Sequence, residues 1–121
     1  MQSYQVCLFG TKTYNTQKLI IFLMLFDLHV HSCFSKDSDS DLDSILKWAK
    51  INGLDGLAIC DHDSVEGGVA CSKRAEELDC DILVIPGIEV SSAEGHVLII
   101  GVNKAIPPGL SVPETIICAR E

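Results

Sequence analysis

Positive charge is scarce in this chain: nine Lys and Arg stand against seventeen Asp and Glu, for a net charge of −8. Phosphate backbones are bound mainly through Lys and Arg, so this balance excludes a dedicated module for extended nucleic acids. A small phosphoester stays open, because metal cations can supply positive charge locally. Long apolar runs are lacking as well. The run 19–26, Leu-Ile-Ile-Phe-Leu-Met-Leu-Phe, is too short to span a bilayer, and no small-residue cleavage site follows it. The six cysteines (Cys7, Cys33, Cys60, Cys71, Cys80 and Cys118) show no CxxC or zinc-ribbon spacing. They read as small buried hydrophobes in a reducing cytosol, with Cys33 and Cys60 close enough to the histidine motifs to line a site without being ligands. No Ser/His/Asp or Cys/His nucleophile spacing is legible, and Gly67-Gly68 lacks the Walker pattern and its lysine. Any chemistry here therefore falls to metals. With 121 residues the chain holds one domain at most.

What is present is a histidine pattern. His29 and His31 sit two apart in Leu25-Phe26-Asp27-Leu28-His29-Val30-His31. If this run is a strand, side chains alternate, so both imidazoles leave one face and Asp27 points the same way. Asp61-His62-Asp63 follows the apolar run Leu57-Ala58-Ile59-Cys60, Glu89 follows 82–88, and His96 precedes Val97-Leu98-Ile99-Ile100. All four histidines thus lie at the margins of strand-like runs. One HxH pair is a weak signal. Four imidazoles and a glutamate so placed supply the mixed nitrogen and oxygen donors that Zn²⁺, Mn²⁺ or Fe²⁺ prefer, with Glu89 able to bridge two ions. Such ions lower the pKa of bound water, polarise a substrate oxygen and stabilise a leaving group, which suits slow phosphate monoester hydrolysis. The acidic run Asp37–Asp43 is not a calcium loop. An EF-hand needs Gly at the sixth position and Glu at the twelfth, where this chain has Leu42 and Trp48.

The surrounding pattern is α/β. A strand over about 24–30 leads through a polar loop to a helix capped by Ser40 with Asp43 at N3, its apolar face made by Leu42, Ile45, Leu46 and Ala49, and ended by Gly53. A strand over 56–60 delivers Asp61-His62-Asp63, and Ser64 caps a second helix reaching about Leu78, whose first turn Gly67-Gly68 weakens. A third strand over 82–85 ends at Pro86-Gly87, and a fourth runs over about 96–102 after a turn containing Gly95. Alternation of this kind predicts a largely parallel sheet with its chemistry at the carboxyl ends of the strands. His96 is the exception, since it opens its strand. Ser111 and Glu114 form a capping box for a last helix. Residues 1–23 are expected to be an unstructured extension ahead of a start at Met24, and 24–121 a C-terminally truncated domain. Its open sheet edge calls for a longer chain or a homo-oligomer.

The ordered set Asp27-Leu28-His29-Val30-His31-Ser32, Asp61-His62-Asp63-Ser64 and Pro86-Gly87-Ile88-Glu89-Val90-Ser91 with His96-Val97-Leu98 resembles the polymerase and histidinol phosphatase (PHP) family of metal-dependent phosphoesterases. The resemblance implies the N-terminal portion of a distorted (β/α)7 barrel, about four strands of it, around two or three divalent ions. It implies that His29 and His31 hold one metal, Glu89 bridges it to a second held by His96, and Asp37 and His62 hold a third. Asp61 would take a catalytic part by orienting its neighbour, and a metal-bound water would attack phosphorus. The family's later strand-end His and Asp-x-His pair have no counterpart here. The implied partner is a small phosphorylated substrate or short oligonucleotide in the cytoplasm, with no membrane. Two alternatives stay open: an amidohydrolase-type metallohydrolase, which also opens with HxH, and a non-catalytic metal-binding barrel fragment.

Overall fold

The computed structural model describes residues 5–8, as backbone, and residues 23–121. In chain order these hold β1 (Gln5–Leu8), β2 (Leu23–Val30), α1 (Leu42–Ile51), β3 (Gly56–Ile59), α2 (Glu66–Glu77), β4 (Leu83–Ser92), β5 (Gly95–Ile100) and α3 (Val112–Arg120). Of the expected extension 1–23, only Gln5–Leu8, paired as β1, and Leu23, the first residue of β2, fall within the described residues.

The strands lie side by side in the order β1-β2-β3-β4-β5. β2, β3 and β4 are parallel, joined by α1 and α2. β1 adds to β2 antiparallel, and β4 and β5 form an antiparallel hairpin. The expected largely parallel sheet is therefore mixed, and β2 to β5 curl into half a barrel. The third strand does not end at Pro86-Gly87 either. Pairing with β3 stops at Ile59↔Pro86 and pairing with β5 begins at Gly87↔Ile100, so the dipeptide is where β4 changes partner. Proline lacks only a donor, and its carbonyl still accepts from Gly101 N at 2.8 Å. A Cβ on Gly87 would stand 2.7 Å from both Cys60 Sγ and Ile99 O, so only glycine permits the crossing.

Two helix caps move by one residue from their expected places. Asp41, not Ser40, caps α1, accepting from Ser44 N at 2.9 Å and Ser44 Oγ at 2.7 Å. A carboxylate in that position is the stronger acceptor. Val65 occupies the N-cap of α2 without a side-chain bond, and Ser64 Oγ instead accepts from Glu66 N. Gly53, at φ +69°, does end α1, and the Ser111–Glu114 capping box opens α3.

The main core lies between the sheet and α1 and α2, built from Ile45, Leu46, Ala49, Leu57, Ile59 and Cys71. A second cluster, Val65, Ile88, Val90 and Ile106, sits with Ile99 and Cys118 beside it. Cys60 and Cys71 are fully buried, and burial pushes their thiols up to about 12 and about 11, helped at Cys60 by the charges of Asp61, Glu89 and Asp27. The thiolate is the reactive form. Iodoacetamide at pH 8 should therefore leave both unlabelled in the native protein and label both in urea, while exposed Cys33 reacts in either state. Peptide mass mapping checks this, and native labelling of Cys60 would contradict the packing described.

Candidate metal centre

β2 carries the first two imidazoles, and a bulge decides where they point. Asp27 pairs with Leu57 and Val30 with Ile59, so three residue steps on β2 face two on β3. Leu57 and Ile59 belong to the helix-side core. Asp27 and Val30 therefore face the helices, and His29 and His31 face the opposite, concave side. The expectation that Asp27 points with the histidines fails because the bulge breaks the two-residue alternation. Asp27 is 3% exposed, and its Oδ1 accepts from His29 N at 3.2 Å, satisfying an amide within the bulge.

Glu89 comes from β4, and the imidazoles gather on it. Its Oε2 lies 2.9 Å from His29 Nε2 and 2.9 Å from His31 Nε2, and its Oε1 lies 3.0 Å from His96 Nδ1. His62 Nδ1 stands 3.8 Å from Oε2. On the other side, Asp37 Oδ1 is 3.1 Å from His31 Nδ1 and Asp37 Oδ2 is 3.0 Å from His62 Nε2. All six expected ligands, His29, His31, Asp37, His62, Glu89 and His96, thus fall in one cluster. It contains three overlapping groups: His29, His31 and Glu89; His31, Asp37 and His62; His62, Glu89 and His96. His96 joins although it opens its strand because β5 is antiparallel. Ser91↔His96 is the second-last pair of the hairpin, so the start of β5 lies at the carboxyl end of β4.

The Asp-His-Asp motif is a double clamp. Asp61 is fully buried and accepts from Ser32 N and Ser32 Oγ, both at 2.6 Å. Expected to orient His62, it spends both oxygens on the residue after His31 instead. Asp63 does the matching work on the other side, accepting from Ser91 N at 2.7 Å and Ser91 Oγ at 2.8 Å. Its φ of +53° is a left-handed conformation that Asp adopts more readily than most residues. Between them, Glu89 N donates to Asp61 O and Asp63 N to Glu89 O, so His62 and Glu89 are held as a parallel bridge. Ser32, Asp63 and Ser91 stand in the motifs that carry the family resemblance, but only the tertiary structure gives them this clamping role; a serine directly after HxH and another two residues past Glu89 are its signals in the sequence.

The charges suit cations. Burial pushes the Glu89 carboxyl up, but the hydrogen bond from His29 and the charges of His29, His62 and His31 together outweigh it, leaving the group below its ordinary value. The Ser35 hydroxyl first, and the His31 ring with it, hold Asp37 well below the usual carboxylate range. Both carboxylates are then ionised at neutral pH and can only accept. His29 Nε2 and His31 Nε2 are 3.0 Å apart and both face the same carboxylate oxygen. Two nitrogens on one tetrahedral Zn²⁺ would stand roughly 3.3 Å apart, given bonds of about 2.0 Å, so the spacing fits a shared ion.

The PHP domain profile matches residues 27–108, more than half of the chain. The chain belongs to the PHP domain family. Its curled mixed sheet is part of a PHP barrel. An uncharacterized protein of Methanocaldococcus jannaschii is 35% identical over 103 residues, covering 77% of this chain and 59% of that protein. A phosphoribosyl 1,2-cyclic phosphate 1,2-diphosphodiesterase of Eggerthella lenta is 36% identical over 90 residues, covering 69% of this chain and 33% of the enzyme. An error-prone DNA polymerase of Symbiobacterium thermophilum is 39% identical over 70 residues, covering 57% of this chain and 6% of the polymerase. This PHP chain spans less than two thirds of each of these relatives. Among its described residues no helix is long and apolar enough to cross a membrane.

Proposed function

We propose that this PHP chain carries the metal centre of a phosphoesterase that hydrolyses a phosphomonoester or short nucleotide. The observation that carries this reading is the convergence of two imidazole nitrogens on one glutamate oxygen at 2.9 Å each, with His96 on the other oxygen. The phosphodiesterase relative, 36% identical, supports the reaction class. His29, His31 and Glu89 would hold one ion, Glu89 and His96 a second, and Asp37 with His62 a third, from among Zn²⁺, Mn²⁺ and Fe²⁺. When bound, the ions supply the positive charge and the acidified water that phosphoester hydrolysis requires. The chain's own part is placement. Glu89 keeps the imidazoles on one carboxylate, while Asp61 and Asp63 hold the backbone beside His31 and Glu89 through Ser32 and Ser91. Free thiols at Cys33, Cys60, Cys71, Cys80 and Cys118 support a reducing, cytoplasmic setting.

The PHP match takes the place of the amidohydrolase alternative. A non-catalytic or degenerate metal-binding barrel fragment is the second reading, since the same donor groups would hold ions whether or not turnover follows. Metal loading and turnover separate the two. After dialysis against chelator and loading with Mn²⁺ or Zn²⁺, at least one ion per chain should be retained by mass spectrometry. Saturation at 100 times the dissociation constant should raise stability by about 2.7 kcal/mol. Hydrolysis of an aryl phosphate, a ribose cyclic phosphate or a short oligonucleotide then supports the enzyme, and loading without turnover supports the second reading. Less than one ion per chain overturns both.

A further inference from the structure

The loop between β2 and α1 holds a buried hydroxyl at the meeting point of three cluster residues. Ser35 is 3% exposed. Its Oγ donates to Asp37 Oδ1 at 2.7 Å, accepts from the His62 backbone N–H at 3.2 Å, and lies 3.4 Å from His31 Nδ1. A hydroxyl has one proton. Since the His62 amide can only donate and the ionised Asp37 can only accept, that proton goes to Asp37. His31 Nδ1 lies 3.1 Å from the same carboxylate oxygen. With Oδ1 so engaged, Asp37 turns Oδ2 toward His62 Nε2 at 3.0 Å.

We propose that Ser35 is the positioning residue of the Asp37–His62 cation site, aligning the carboxylate through Oδ1 and the imidazole through the His62 backbone. This rests on the metal reading above and adds an assignment to it. The loop itself is braced by Cys33 N to Ser40 O, Ser35 N to Ser32 O and Ser38 N to Ser35 O, so the Ser35 side chain is free to serve the site rather than the turn. Outer partners of this kind command about 10–100-fold in metal affinity.

The test is calorimetric titration of the chelator-stripped chain with Zn²⁺ or Mn²⁺, in wild type, Ser35→Ala, Asp37→Ala and the double variant, with circular dichroism to confirm folding. Asp37→Ala should abolish one binding event. Ser35→Ala should weaken that same event by about 10–100-fold and leave the others within about twofold. In the Asp37→Ala background it should change nothing more. If Ser35→Ala does not fold, Ser35→Cys, similar in size but a weak donor, replaces it with the same expected split. Ser35→Ala titrating like wild type, weakening every event equally, or weakening the remaining events after Asp37→Ala would each overturn the assignment. A wild-type chain that binds no ion would overturn the metal reading and this assignment together, and shows itself before any substitution is made.

Discussion

Glu89→Gln should strip the chain of its tightest metal binding while leaving the fold intact. The amide keeps the size and shape of the carboxylate, so β4 and its pairing with β5 are undisturbed. What is lost is the negative charge on which His29, His31 and His96 converge at 2.9–3.0 Å. A carboxylate with two oxygens can serve two ions, and a neutral amide oxygen is a poor substitute for either. Affinity should fall by more than the roughly 100-fold that marks the loss of an outer partner, because a direct donor is removed from two groups at once. His29→Ala removes a donor from one group only, and should cost less. Titration calorimetry on stripped protein, with thermal melts in chelator as the folding control, reads both. Undiminished ion binding by Glu89→Gln would remove this residue from the centre and with it the proposed arrangement.

Gly67→Ala should destabilise the protein even though it improves helix propensity. In the first turn of an unremarkable helix the change would help, since Ala exceeds Gly by about 1 kcal/mol in helix interiors. Here a Cβ on Gly67 would overlap Asp61 Oδ2 and Ser32 Oγ, and would approach Asp61 Cγ at 3.2 Å. Those are the atoms of the buried clamp behind His31, and neither can retreat without breaking a 2.6 Å bond. Overpacking of a filled site costs about 1–3 kcal/mol, and the lost hydrogen bonds add to it. The expected result is a melting temperature lower by about 10 °C, taking roughly 4 °C per kcal/mol for a chain of this size. Weaker metal binding should accompany it, since the His31 loop must shift. Ser72→Ala, on the same helix, controls for propensity and should not lower the melting temperature. A Gly67→Ala protein melting at or above wild type would show that α2 does not rest on the clamp as described.

The four histidines were legible because each stands beside an apolar run, whereas Asp37, in the loop between β2 and α1, came only from the family resemblance. His29 and His31 needed only local alternation. Even there, the bulge between Asp27 and Val30 turned Asp27 to the helix side, because bulges arise from pairing between strands and leave no period in a single one. Pro86-Gly87 read as a stop, and is instead the point where β4 exchanges β3 for β5. Proline and glycine punctuate chains locally, yet both are tolerated where the missing donor is not required and the close approach is. Gly67-Gly68 read as a weak helix start for the same reason. Their small size answers to Asp61 and Ser32 at one position and to Pro86 at the other, none of which is adjacent in the chain.

From its order of residues alone this protein declared which donors it owns and that its histidines stand beside strand-like runs, because donor chemistry and apolar patterning are local properties. Folding in three dimensions decided that β5 runs antiparallel, so that His96 reaches Glu89, and that Asp61 and Asp63 grip Ser32 and Ser91. Strand direction and side-chain partnership depend on which segments meet across tens of residues. That is set by burial of the whole core, and no window of sequence contains it.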